Sequence, residues 1–354
     1  MTAARRRTAG GSVVRTLAVL VLVGAAVLVA VGAWGWTRLQ PVDPGAAEPV
    51  AFEVLPGWGA RTVAEQLEEE GLIRHAGAFL LLLRWQGSDR AIGEGLYELA
   101  PAMDARTVVA RLEAGGRPRT IRVTMPEGWR ARDLARRVEE LGLATYHQLL
   151  QRVDDPGPLA PEGLPDGVGL EGYLYPDTYE LRVDADERTL LTAMVARFEE
   201  RADRDDLRAR AEAEGLSLHA WVTLASIVQA EAANDGEMAI IAGVFRNRLD
   251  VGMPLQSDPT VAYGLGKDLP QLDFPGGDFD VDHPWNTYTR GGLPEGPIGN
   301  PGSAALAAVV APERTAPNGE PWTYFLHGVD DGAPVFRPNT NFEDHVRDRN
   351  AYLR

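Results

Sequence analysis

Glu231 follows a run of apolar residues at spacings that place its carboxyl group on one face of a helix. Leu224, Ile227 and Val228 precede it by seven, four and three residues, so all four side chains share that face. An ionised carboxylate is costly to bury, and we expect desolvation to raise the pKa of Glu231 and keep it protonated near neutral pH. A carboxyl group in that state suits general acid catalysis. Spacing alone also allows a solvated glutamate at a frayed helix end, because Asn234 soon follows.

Amide, hydroxyl and aromatic side chains cluster further along the chain, in residues 255–264 and 285–288. This mixture is typical of loops that bind sugars by stacking and hydrogen bonding. The Gly- and Pro-rich residues 291–302 would add a rigid wall. Ordinary turns between core elements are the alternative interpretation. The side chains that we predict to position a substrate in a cleft are Gln256, Asp258, Thr260, Asn286 and Tyr288.

A second carboxylate beside Glu231 would point to hydrolysis, because glycoside hydrolases usually use two carboxyl groups. Three residues compete for that role. Asp258 precedes Pro259 and is expected to shape a turn. Asp235 and Glu237 suit the first turn of a helix, where acidic side chains are common, so we favour a structural role for this pair.

Composition narrows the remaining chemistries. The chain has no cysteine, and its net charge of −16 argues against nucleic acid as a partner. Its six histidines lack metal-ligand spacing, and its one lysine, Lys267, lies in a loop-like stretch. We therefore predict neither a metal nor a cofactor. A pyridoxal-phosphate lyase would have to depend on Lys267.

Three helices are predicted to position Glu231. The first is ended by Gly215, and the second is capped by Ser217 and apolar around most of its circumference, which indicates a buried helix. A third helix, capped by Asp235, is expected to run to about Gly252. Pro and Gly then dominate, so residues 253–302 are predicted to be largely loop.

The region before these helices contains an internal similarity. Residues 56–64 recur as residues 126–135, and residues 94–97 resemble 171–174. Alternating strands, turns and amphipathic helices predict two small β-α-α-β-α units at 50–118 and 119–201, the second with an exposed loop at 154–169. Chance similarity is the alternative, but the ordered series of matches favours duplication.

The N-terminus indicates a membrane anchor. Residues 16–36 are uncharged and long enough to cross a bilayer, and the basic tail at 1–15 places the N-terminus in the cytoplasm. A cleaved signal peptide is the alternative, but its apolar core would be shorter. Residues 37–49 form a Pro-rich linker that holds the following units close to the membrane.

Motifs along the whole chain resemble those of the endolytic murein transglycosylases, the MltG or YceG-like family. The residues that carry the resemblance are Ala225-Ser226-Ile227-Val228-Gln229-Ala230-Glu231, Val244-Phe245-Arg246-Asn247-Arg248-Leu249, Gly252-Met253-Pro254-Leu255-Gln256-Ser257-Asp258-Pro259-Thr260-Val261, Asn286-Thr287-Tyr288, Gly292-Leu293-Pro294, Pro297-Ile298, Asn300-Pro301-Gly302, and Glu171-Gly172-Tyr173-Leu174 with Pro176-Asp177-Thr178-Tyr179. One departure is Gln229, where the family often has Glu, and we assign it no role.

The resemblance implies an α+β protein of the cytoplasmic (inner) membrane, with a single transmembrane helix, a LysM-like unit at 50–118, a related unit at 119–201 and an extracytoplasmic catalytic domain at 202–354. It implies a lyase that cleaves peptidoglycan glycan strands between N-acetylmuramic acid and N-acetylglucosamine. Its catalytic glutamate maps onto Glu231. A role in ending nascent strands beside peptidoglycan synthases is implied by the family alone. The alternative class is a non-enzymatic peptidoglycan-binding scaffold at the membrane, which would bind the wall without making new chain ends.

Overall fold

The computed structural model describes residues 10–88 and 90–353, with side-chain environments from residue 17 onward. Contacts divide the chain into two compact units, Met1–Arg119 and Thr120–Arg354. The helices are α1 (Gly10–Arg38), α2 (Ala60–Glu69), α3 (Ala76–Gln86), α4 (Ala105–Glu113), α5 (Ala131–Glu140), α6 (Tyr146–Asp154), α7 (Glu187–Asp203), α8 (Leu207–Ala213), α9 (Leu218–Glu231), α10 (Asp235–Asp250), α11 (Asp258–Gly264), α12 (Ser303–Val310) and α13 (Phe342–Tyr352). The strands are β1 (Val50–Val54), β2 (Gly95–Leu99), β3 (Thr120–Thr124), β4 (Thr178–Arg182), β5 (Tyr324–Asp330) and β6 (Ala333–Asn339).

From Leu17 onward, helix α1 is apolar and almost entirely exposed. Its segment Leu17–Arg38 has 22 residues, a mean hydropathy of 2.7 and no buried share. At about 1.5 Å per residue such a helix is long enough to cross a bilayer core of about 30 Å. The predicted segment 16–36 therefore forms a helix suited to membrane anchoring. Residues 1–9 of the predicted basic tail lie outside the described residues.

After α1, the first unit has the predicted order β1, α2, α3, β2, α4. Strands β1 and β2 pair antiparallel. Their inward residues Phe52, Tyr97 and Leu99 join a core formed with the three helices, because alternate strand residues face the same side of a sheet. The order β3, α5, α6, β4, α7 repeats this arrangement in the second unit, with β3 and β4 again antiparallel.

The two arrangements differ where the chain returns to the sheet. Residues 95–97 belong to β2, but the similar residues 171–174 precede β4 and are largely buried outside its sheet. The likeness of the first unit to LysM and the common origin of both stretches stay predictions.

The second unit is built around helix α9. Nine of its residues are buried, and α10 and α12 pack against it. Ser217 caps α9 as predicted, its hydroxyl accepting from the amide of Ala220 at 3.2 Å. The predicted cap of α10 is wrong, since Asn234 accepts from the amide of Gly236 while Asp235 is the first helical residue. An Asn side chain suits this position because its oxygen reaches the free amides of the first turn.

Residues 253–302 are largely loop, as their composition predicted. The exceptions are the helix α11, which begins at Asp258, and short 3₁₀ turns. Pro259 follows Asp258 and favours a helix start, because the first helical turn needs no backbone donor there. Asp258 therefore opens a helix and not the predicted turn.

Candidate active site

The carboxyl group of Glu231 lies at the C-terminal end of α9 and is half-buried. The hydroxyl of Ser257 donates a hydrogen bond of 2.6 Å to its Oε1 atom. Among the described residues Oε2 has no hydrogen-bond partner, and it is not among the buried unpaired atoms. One oxygen is thus held in place while the other stays open to a ligand.

Burial is the largest influence on this carboxyl group and raises the pKa of Glu231 to about 7. The Ser257 hydrogen bond and the Arg248 charge favour the ionised form, while the negative charge of Asp258 opposes it. A pKa near neutrality lets one group both give and accept a proton at physiological pH. This electrostatic state agrees with the expectation from sequence, although the catalytic role itself stays a prediction.

The segment around Ser257 is fixed by a network of hydroxyl groups. Thr287 Oγ1 accepts from the Ser257 amide at 3.0 Å, and its carbonyl accepts from the Gln256 amide at 3.1 Å. Thr260 donates to the Ser257 carbonyl at 2.6 Å and lies 2.9 Å from Thr287 Oγ1. Gln256 itself adopts a left-handed backbone with φ of 51°, a costly conformation for a residue other than glycine. The network therefore holds the Ser257 hydroxyl against the Glu231 carboxyl group, and it stabilises the strained backbone of Gln256.

Two of the predicted cleft residues stabilise this network from the protein interior. Thr260 and Asn286 are buried. The Asn286 amide group donates to the carbonyls of Phe279 and Val281 at 2.9 and 2.8 Å, and its oxygen accepts from the Tyr288 amide at 2.8 Å. Their polar atoms are occupied within the protein, so both residues are placed to shape the loops and not to face a ligand.

The other predicted cleft residues are accessible. Gln256 and Asp258 are exposed and Tyr288 is half-buried. The Tyr288 hydroxyl donates to Asp258 Oδ1 at 2.5 Å, and both side chains interact electrostatically with Glu231. The structure therefore brings these two residues to the catalytic candidate, where they can contact a polar ligand.

Sequence reasoning missed Arg248 as a part of the site. This buried guanidinium donates to the carbonyls of Thr323 and Leu255 at 2.8 and 2.6 Å, and its charge lowers the pKa of Glu231. Its place in the Val244–Leu249 motif was the available signal. Only the fold shows that Arg248 of α10 joins Leu255, two residues before Ser257, to Thr323, the residue that precedes β5.

A second carboxyl group with a raised pKa was also missed. Burial raises the pKa of Glu171 to about 7, although the α5 amide of Ala131 donates to both of its oxygens at 3.0 and 3.1 Å. Asn300 donates to it at 2.8 Å, and it borders a cavity of about 200 Å³ together with Trp285 and Tyr263. With both oxygens engaged, Glu171 ties the start of α5 to the Asn300 loop.

The remaining candidates are engaged in other contacts. Glu237 accepts from the Ala233 amide and from His327, at 3.0 and 2.9 Å. The lone lysine, Lys267, donates to both carboxylate oxygens of Asp278 at 2.7 and 2.6 Å. Gln229 accepts from the Gly302 amide at 2.9 Å, which is a structural role. The described part of the chain contains no cluster of three potential metal ligands.

Replacing Ser257 by Ala is expected to shift the pH dependence of the activity that Glu231 supports. The Ser257 hydroxyl stabilises the carboxylate, so its loss raises the pKa of Glu231 further above 7. The alkaline limb of kcat/KM should move up by about one pH unit, because a hydrogen bond to a charged group contributes about 1.5 kcal/mol. Ser303→Ala is the matched control, since that hydroxyl bonds Tyr175 and no carboxylate. An unchanged alkaline limb in Ser257→Ala would contradict the proposed link.

Comparison with known proteins gives consistent matches. The sequence profile of the YceG-like family matches residues 52–351. An endolytic murein transglycosylase of Bacillus subtilis (strain 168) is 27% identical over 335 residues, which cover 90% of this chain and 89% of that protein. One of Streptococcus pneumoniae serotype 2 (strain D39) is 27% identical over 94% of this chain, which spans only 64% of that longer protein. The crystal structure of a putative yceG-like protein from Listeria monocytogenes is 28% identical, covers 85% of this chain and 99% of that one, and has a TM-score of 0.55.

Proposed function

Because the chain belongs to the YceG-like family, we propose that it is a lytic transglycosylase that cleaves the glycan strands of peptidoglycan. The name of its Bacillus and Streptococcus relatives, endolytic murein transglycosylase, supports the substrate and the reaction class. One structural observation carries the proposal. Glu231 has a pKa of about 7, with one oxygen held by Ser257 and the other open.

In this mechanism Glu231 acts first as an acid. Its protonated carboxyl group donates a proton to the glycosidic oxygen between N-acetylmuramic acid and N-acetylglucosamine, and the C1–O bond breaks as the leaving sugar gains a hydroxyl. The carboxylate then accepts the proton of the muramyl 6-hydroxyl as that oxygen bonds C1. The product is a 1,6-anhydro end, no water is consumed, and Glu231 regains its proton.

The surroundings of Glu231 suit a reaction that needs one carboxyl group. Asp258 is the nearest rival, but its Oδ1 atom already accepts the Tyr288 hydroxyl at 2.5 Å. Its negative charge helps to keep Glu231 protonated. We assign Asp258, Tyr288 and Gln256 to glycan contact, and Thr260 and Asn286 to positioning the loops that carry them.

The proposed location in the cell rests on helix α1. We propose that α1 anchors the protein in the cytoplasmic membrane with its N-terminus inside, which places Glu231 on the side of the cell wall. Cleavage at that position would end glycan strands as synthases extend them. A LysM-like role of the first unit in holding glycan would assist such cleavage.

Mass analysis of products from intact sacculi tests the proposal. We expect the full-length protein in detergent to release fragments that end in 1,6-anhydro-N-acetylmuramic acid, 18 Da lighter than hydrolytic products. New reducing ends would instead show a hydrolase, in which water supplies the C1 hydroxyl and Asp258 is the candidate second carboxylate. Binding to sacculi without new chain ends would favour the scaffold. The length of the fragments distinguishes cleavage within strands from cleavage at their ends.

A further inference from the structure

The outer face of helix α3 in the first unit carries two unusually exposed apolar side chains. Leu81 is 64% exposed and Trp85 is 78% exposed. They are four residues apart and so lie side by side on the helix. The opposite face of α3, with Phe79 and Leu83, fills the core. Single exposed apolar residues are common, but a contiguous exposed apolar patch marks a surface that contacts a partner or a membrane.

This exposed face borders the end of α1. Leu81, Leu82 and Trp85 line a groove of about 270 Å³ together with Val31 and Trp34 of α1. The α1 residues are themselves largely exposed, Val31 at 59% and Trp34 at 47%. Apart from Arg106 the lining of the groove is apolar, so an apolar surface extends from the predicted membrane helix onto α3.

The linker that follows α1 is bound to the first unit, which also contains α3. Residues 39–46 form backbone hydrogen bonds with residues 101–105. The Ala105 amide donates to the Leu39 carbonyl at 3.0 Å, and the Asp43 amide donates to the Pro101 carbonyl at 3.1 Å. Arg74 donates to the carbonyls of Pro41 and Val42 at 2.8 and 3.1 Å.

Helix geometry gives the depth of the groove. Val31 lies seven residues before Arg38, which is about 10 Å along the helix axis. Arg38 lies over the ring of Trp34 and Arg106 over that of Trp36, at 5.6 and 5.9 Å. Arginine and tryptophan together are typical of the boundary between lipid headgroups and hydrocarbon. A bilayer that surrounds α1 up to this level also reaches Leu81 and Trp85.

We propose that helix α3 enters the outer leaflet of the membrane beside α1, with Leu81 and Trp85 in contact with phospholipid acyl chains. The first unit would then lie on the bilayer surface in one orientation. This inference rests on the proposed membrane location of α1 and is independent of the catalytic proposal. It adds a second membrane contact, made by a helix that sequence reasoning assigned to a wall-binding unit.

Depth-dependent fluorescence quenching tests the proposal on the full chain. Because the chain has no cysteine, single-cysteine variants can be labelled with an environment-sensitive dye and placed in nanodiscs with nitroxide-labelled phospholipid. The test variants are Leu81→Cys and, independently, Trp85→Cys. Val27→Cys on α1 reports the anchor, and Glu98→Cys is the matched control, since Glu98 is exposed on the face of β2 opposite the core residues Tyr97 and Leu99.

We expect strong quenching at positions 81, 85 and 27, at least threefold above that at 98. Quenching at 27 without quenching at 81 and 85 would overturn the inference and leave the anchor intact. Absence of quenching at 27 would overturn both. Disulfide cross-linking between copies of the unlabelled Leu81→Cys variant, without quenching of the labelled one, would show that a second copy covers the surface instead. Product analysis on sacculi is unaffected by any of these outcomes, so the catalytic proposal is judged separately.

Discussion

Replacement of Glu231 by Gln is expected to reduce the rate of glycan cleavage by about 10²- to 10⁴-fold, the usual contribution of a general acid or base. Gln has nearly the same shape as Glu. Its amide oxygen can still accept a hydrogen bond from the Ser257 hydroxyl, which lies 2.6 Å from Glu231 Oε1 in the wild type. It cannot give up or take a proton in either step. The measurement is the initial rate of 1,6-anhydro end formation from sacculi.

Glu320→Gln is the matched control, because it makes the same chemical change at an exposed carboxylate and should keep the wild-type rate. A Glu231→Gln rate within tenfold of wild type would assign the proton transfer to another group, with Asp258 as the next candidate. The loss should appear in kcat and in kcat/KM alike, because the proton transfer belongs to the transition state.

The same variant has a stability signature that separates lost chemistry from lost folding. The folded-state pKa of Glu231, about 7, exceeds the value of about 4.3 expected in the unfolded chain. The folded state therefore binds more protons between these values, and its stability falls as the pH rises through that window. Gln does not ionise, so at pH 8 the unfolding midpoint of Glu231→Gln should equal or exceed that of the wild type. The advantage should disappear at pH 4.

Replacement of Trp221 by Ala is expected to lower the free energy of unfolding by about 3–5 kcal/mol, the usual cost of truncating a buried tryptophan. Trp221 is fully buried at the centre of the second unit. Its indole nitrogen donates to the Leu306 carbonyl at 2.9 Å and joins α9 to α12. Truncation leaves a cavity beside the helix that ends in Glu231 and removes its hydrogen bond to α12. Urea unfolding of the full chain in detergent provides the measurement.

Two further variants test whether the loss of stability comes from the buried indole ring of Trp221. Trp221→Phe keeps most of the volume but loses the donor, so a smaller loss of about 1–3 kcal/mol is expected. Val251→Ala, at a position that is 75% exposed, should change stability by less than about 0.5 kcal/mol. Equal effects of Trp221→Ala and Val251→Ala would mean that α9 does not depend on this packing.

Both predictions concern the same arrangement, in which the carboxyl group of Glu231 lies at the edge of the hydrophobic core around α9. The apolar side chains of α9 remove water from around Glu231, and the Ser257 hydroxyl limits the resulting rise in pKa. Arg248 and Asp258 act on the same carboxyl group with opposite sign. A pKa near 7 is therefore the balance of several neighbours, and each of them is expected to move the pH profile when it is replaced.

The local pattern of residues determined much of this protein. The apolar run of α9 predicted a buried helix that ends at Glu231, and strand alternation with helical spacing predicted the β-α-α-β-α order of residues 50–201. The uncharged stretch at 16–36 predicted a helix long enough for a membrane. These features depend on neighbours a few residues apart, whose periodicity a sequence displays directly.

Tertiary structure decided which polar groups meet. Ser257 lies 26 residues after Glu231 and donates to it, and Thr260 and Asn286 turn inward to hold the loops. Composition could not show which way these side chains point. Their hydrogen-bond partners lie far away in sequence, and such bonds depend on how the helices and loops pack. The sequence predicted a Pro-rich linker at 37–49, and for the same reason it could not show that backbone hydrogen bonds bind residues 39–46 to the first unit.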